Sequence, residues 1–179
     1  MKRSLIIAVV ISLIVMGCGQ TDTGEPEFFG SNFSISSCIQ HAGNGRTLES
    51  FMKNQMKINK LSPDMAKHFL DNSEGKAWSM TSQDGSYAVT YKEDGVCTVF
   101  IKEANVQRYI KHMNENIERI SSKTDWKFST KAIPMFAGKE KLQTYELSAK
   151  LPDKNIKIVI SAVNKVTGNY QIAFSTILM

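Results

Sequence analysis

The chain has 179 residues, 42% of them apolar and 22% charged, the proportions of a folded domain with a leader and not of a disordered polymer. Its formal net charge of +5 includes Lys2 and Arg3. Without these two, 20 basic residues face 17 acidic ones, a net of +3, which is too mild to indicate nucleic-acid binding.

The first element is a leader. Lys2 and Arg3 precede an apolar run, Leu5 to Met16, broken only by Ser12. The run falls short of the roughly 20 residues a membrane span needs. It matches the apolar region of a secretory signal. It ends in Val15-Met16-Gly17-Cys18, which resembles a bacterial lipobox, with Met16 where a small residue is usual. The resemblance implies a signal peptide over 1–17 and a diacylglycerol on the Cys18 thiol. Cleavage before Cys18 and acylation of the new amine, as by palmitate, would follow. Plain secretion with Cys18 unmodified, or an uncleaved anchor, is the alternative. Two or three acyl chains meet the need of stable anchoring for more than one. Gly19, rather than Asp, follows the cysteine. By resemblance to the sorting rule of enteric bacteria, this favours the periplasmic face of the outer membrane, with the inner membrane or the cell surface as alternatives.

Residues 18–37, rich in Gly, Ser, Thr, Asp, Glu and Pro, read as a flexible tether. Phe28, Phe29 and Phe33 interrupt it and either pack on the domain or lie near the headgroups. A single domain is predicted over 38–179. Two short helices open it. Thr47 is the expected cap of the first, and Leu48, Phe51, Met52 and Met56 its apolar positions. Ser62-Pro63-Asp64 starts the second with a cap, a proline at the first helical position and an acid in the first turn. Met65, Phe69 and Leu70 give its apolar face, and 72–76 with Gly75 its end.

The period then changes to two. Strands are predicted at 77–81 with Trp78, at Tyr87, Val89 and Tyr91, and at Cys97, Val99 and Ile101. Asp84-Gly85 and Glu93-Asp94-Gly95 are the turns. A helix over about 104–121 carries the stripe Val106, Ile110, Met113, Ile117 and Ile120. Four more alternating segments follow: 126–132, 145–149, 156–160 and 170–176. Short turns between consecutive strands imply antiparallel pairing. The predicted fold class is α+β: an antiparallel sheet of about six to seven strands, one long amphipathic helix packed on it, and two short helices at the N-terminal side.

Chemistry is sparse. His41, His68 and His112 show no metal-ligand spacing and read as solvated side chains, so neither a metal nor a cofactor is expected. No serine sits in a G-x-S-x-G setting. Gly43-Asn44-Gly45 lacks the Lys-Ser/Thr of a phosphate loop and reads as a turn before a helix. Trp78, Tyr87, Tyr91 and Trp126 could form a binding platform, but their strand positions favour the core. Cys38 and Cys97 are an even pair, which in an oxidising compartment predicts a disulfide worth about 4 kcal/mol. Two free buried thiols are the alternative.

Cys38, Leu61-Ser62-Pro63, Phe69-Leu70, Gly75-Lys76-Ala77-Trp78, Gly85-Ser86-Tyr87 and Cys97-Thr98-Val99-Phe100 resemble a group of small Gram-negative lipoproteins, the NMCC-type (lipo)proteins. The resemblance covers Cys38 to Phe100. It implies the leader, the paired cysteines and the envelope compartment, and it adds no catalytic residue. The expected function is therefore a non-enzymatic binding or structural module facing the periplasm. It would be held by Cys18 and would engage a protein partner, as in an envelope or secretion assembly. The first rival is an inhibitor or immunity protein against a periplasmic hydrolase such as a lysozyme-like enzyme, with Ala132 to Lys141 as the plugging loop. The second is a hydrolase or a lipid-binding module.

Overall fold

The period-two segments build one antiparallel sheet. The structure, a computed structural model, describes residues 25–55, 57–82, 85–132, 142–163 and 170–179. Its strands are β1 (Ile58–Lys60), β2 (Gly75–Ser82), β3 (Gly85–Lys92), β4 (Cys97–Ile101), β5 (Lys127–Ala132), β6 (Leu142–Lys150), β7 (Asn155–Val163) and β8 (Ile172–Leu178). Their order is β1-β2-β3-β4-β8-β7-β6-β5. The fold is thus α+β with eight strands among the described residues, close to the expected count; β1 is the additional one. Two four-stranded meanders meet where β4 pairs with β8, Val99 opposite Phe174.

Among the described residues, four α-helices accompany the sheet: α1 (Pro26–Ser34), α2 (Gly45–Lys53), α3 (Pro63–Leu70) and α4 (Val106–Lys123). A π-helical turn, Ile35–Ile39, continues α1. The stretch from residue 26 to 37 is therefore packed structure, which corrects the tether expected there. Pro26 occupies the first turn, with Glu27 beside it. Phe33 is buried, and Phe29 packs on the core against Tyr87. Of the two places open to these rings, they take the domain.

Two helix ends differ from expectation. The α2 cap is Asn44, whose side chain accepts the Thr47 amide, so the helix starts before Thr47. The α3 start at Ser62 is as expected, its hydroxyl accepting from the Met65 amide. Its end is not: α3 stops at Leu70, and Asp71 and Asn72 take positive φ values of 50° and 58°. Gly75 instead opens β2. A Cβ there would meet the Tyr91 carbonyl oxygen and the Lys92 Cα, so the close approach of β3 requires glycine.

One face of the sheet is the core face. Trp78, Tyr87, Val99, Phe174, Ile158, Ile160 and Leu147 point into it, and Val106, Tyr109, Met113 and Ile117 of α4 cover it. The helix stripe is thus close to the predicted one, with Ile110 and Ile120 at its margins. Tyr109 and Asn116, absent from the stripe, meet α1. The Ser34 hydroxyl and the Tyr109 hydroxyl are 3.0 Å apart. Asn116 Nδ2 donates to Ser31 Oγ at 3.1 Å, and Arg119 donates to Asn116 Oδ1 at 2.6 Å. The buried Glu27 carboxylate accepts the Asn105 amide at the start of α4. This interface is polar, and these polar groups have partners, as burial demands.

Tyr109 carries a testable consequence. Burial raises its pKa well above the ordinary tyrosine value of 10, against a smaller opposing effect of its hydrogen bond with Ser34. Above pH 10 the unfolded chain loses this proton while the folded one keeps it. Stability then falls with rising pH, by about 1.4 kcal/mol per unit from this group. Tyr109→Phe should cost about 1 kcal/mol near neutrality. It should also make the alkaline slope shallower in urea titrations from about pH 9 to about pH 11. An unchanged slope would contradict this account.

Candidate functional site

Cys38 and Cys97 come together. Their Cα atoms are 5.4 Å apart across 59 residues of sequence, in disulfide geometry, and both side chains are fully buried. The pair ties the π-helical turn to β4 at the sheet centre, and the neighbouring Thr176 hydroxyl donates to the Cys38 carbonyl at 3.3 Å. This is a staple inside the core. Cys18 lies outside the described residues, as does the loop expected between Ala132 and Lys141 beyond the end of β5.

The histidines are more engaged than three solvated side chains. His68 is exposed. His41 lies against the Phe51 ring at 5.1 Å with Nδ1 2.9 Å from the Thr47 hydroxyl. Burial, and then the nearby Lys154, lowers its pKa. His112 bridges two carboxylates, Glu25 at 3.5 Å and Glu115 at 3.2 Å, with the Phe28 ring edge-on at 5.5 Å. These contacts fasten the start of α1 to α4. Its two nitrogens face different carboxylates, and no group of three metal-binding side chains occurs among the described residues.

An open hollow of about 370 Å³ lies at the start of α4, lined by Ala104, Asn105, Val106, Gln107 and Gln171. Two of its polar side chains are structural: Asn105 accepts the Arg108 amide, and Gln171 accepts the Ala104 amide.

The aromatic residues divide in an informative way. Trp78 and Tyr87 are buried, and Tyr91 and Trp126 pack against the core, as their strand positions imply. A partly exposed aromatic cluster lies elsewhere. Phe69, Phe100 and Tyr170 contact one another on the outer face of the sheet, with ring centroids 5.8 Å, 5.3 Å and 5.3 Å apart. All three are half-buried, and burial raises the Tyr170 pKa. Met65, one helical turn before Phe69, is 55% exposed. This corrects the expected α3 face: Ala66 and Leu70 pack on Ala77, while Met65 and Phe69 lie beside that contact. Under the strict alternation expected over 170–176, Tyr170 would share the face of Ile172. Because β8 begins only at Ile172, the chain can turn there, and Tyr170 joins Phe100 on the other face.

The cluster borders the outer face of the second meander. Val159, Ser161, Ala173 and Ser175 are half-buried there, and Ile177 is exposed. Ser175 meets Thr98 at 2.9 Å, and Lys157 pairs with Glu146 at 3.0 Å. Small side chains and an ion pair thus flank an aromatic wall. Rings held rigidly by one another present contact area with little rotamer entropy left to lose, which suits recognition of a partner. No family model, curated protein or solved structure matches this chain.

Proposed function

We propose that this chain is a non-enzymatic lipoprotein module of the cell envelope, anchored through Cys18 and facing the periplasm, that binds a protein partner on the outer face of its sheet. The observation that carries the binding reading is the half-exposed cluster Phe69, Phe100 and Tyr170 with exposed Met65 beside it. The leader and the Val15-Met16-Gly17-Cys18 boundary support the anchor. The paired cysteines suit an oxidising compartment.

Two measurements test the two parts. In fractionated cells, Cys18→Ser should abolish labelling by a palmitate analogue and release the protein from the membrane. Retained label and location refute the anchor. For binding, a photo-crosslinking amino acid at position 65 in intact cells should give a discrete protein adduct. The same group at exposed Lys150 should not. Tyr170→Ala should reduce the adduct about tenfold, the effect of losing roughly 1.4 kcal/mol from a contact of this kind. No adduct at position 65, or one indifferent to Tyr170→Ala, removes the cluster as the binding surface.

A further inference from the structure

The sheet has two ends. At one end the β2–β3 connection lies between Ser82 and Gly85, β4 finishes at Ile101 and β8 begins at Ile172. At the other end β3 turns through Glu93 and Asp94 into β4, and β6 turns through Asp153 into β7. The chain enters α1 at the first end. The Tyr87 hydroxyl donates to the Pro26 carbonyl at 3.1 Å, and a Cβ on Gly85 would lie 3.0 Å from that hydroxyl and 3.5 Å from the Pro26 Cβ. Glu27 is fixed to Asn105 at the same end.

We infer that the sheet end holding Pro26, Gly85 and Lys102 lies against the bilayer that carries the Cys18 acyl chains, with the Asp94 and Asp153 end pointing away. This rests on the lipid anchor proposed above. Chain length limits where the domain can sit. Because α1 is packed structure from Pro26 onward, only the seven residues between Cys18 and Pro26 separate lipid from domain. Eight Cα steps span at most about 26–29 Å when fully extended, and a flexible chain of that length averages roughly 15–17 Å end to end. The strands are as long as the taut leash: eight residues of β3 cover about 26 Å. Bringing the Asp94 end to the membrane would need the leash fully stretched along the whole sheet. Resting on the Pro26 end needs no stretching.

The test uses the full lipidated protein reconstituted into vesicles of phosphatidylethanolamine and phosphatidylglycerol containing brominated acyl chains. A fluorescent amino acid is placed at position 102, 94 or 153, and flotation is measured alongside emission. Emission at position 102 is expected to be quenched at least twofold more than at 94 or 153. Equal quenching, or more at 94, in protein that floats overturns the orientation and leaves the anchor standing. Wild-type protein that fails to float, like Cys18→Ser, removes the anchor and the orientation with it. Inserting twenty Gly/Ser residues after Asp22 should abolish the difference while flotation persists. A difference that survives the insertion overturns the leash as its cause.

Discussion

Reduction of the Cys38–Cys97 pair, or Cys97→Ala, is expected to lower the unfolding free energy by about 4 kcal/mol. The figure follows from the 59-residue separation, since a cross-link of that span removes much of the unfolded chain's freedom. About 4 kcal/mol is close to a thousandfold in the folded-to-unfolded ratio, a large part of the 5–15 kcal/mol typical of a domain. Because both sulfurs are fully buried, reductant should act on the folded protein only through unfolding. Urea curves followed by Trp78 and Trp126 fluorescence, with and without reductant, check the size of the effect. Coincident curves, or equal masses after thiol alkylation with and without reductant, would show that the cysteines are free thiols. The segment between them holds α2, β1, α3, β2 and β3, so the staple bears mainly on the first meander. The second meander should feel its loss only through β4 and β8.

The strands and α4 were legible because each buries one face at a fixed period. Ile156, Ile158 and Ile160 alternate with half-exposed neighbours, and Val106, Met113 and Ile117 recur along α4. The helix α1 was not legible, for a physical reason. Apart from Phe33, its buried residues are Glu27, Gly30, Ser31 and Ser34, a composition that resembles a linker. The glycine and serines are small because the helix lies close to the sheet: a Cβ on Gly30 would sit 2.6 Å from the end of Ile101. The available signals were Pro26 and Glu27 at the start and the Phe29, Phe33 pair one turn apart. At three residues, β1 is too short for alternation to register. The aromatic cluster was hidden because its members come from α3, β4 and the approach to β8. Only the pairing of β4 with β8 brings Phe100 and Tyr170 together, and pairing across 70 residues leaves no local pattern.

The same β4–β8 seam decides the second large effect. Phe174→Ala should cost 3–5 kcal/mol, the range for removing a fully buried phenylalanine. Phe174 is wholly buried on β8, opposite Val99 of β4 on one side and Ile160 of β7 on the other. Its ring is therefore shared by both meanders, and cavity formation there weakens their joint core instead of either half alone. Ile177, on the same strand but the other face, is 37% exposed. Ile177→Ala should cost under about 1 kcal/mol, since little packing is lost at an exposed site. Urea unfolding of the two variants in the oxidised protein separates the cases. A single shared transition, shifted far more by Phe174→Ala than by Ile177→Ala, is the expected result. Equal costs would mean that the two meanders do not share the core. Two separated transitions would mean that β4 and β8 fail to couple them into one cooperative unit. The proposed orientation requires that coupling. The anchored chain enters beside β3 in the first meander, and only a rigid seam at Phe174 carries the set of that end across to β6 and β7.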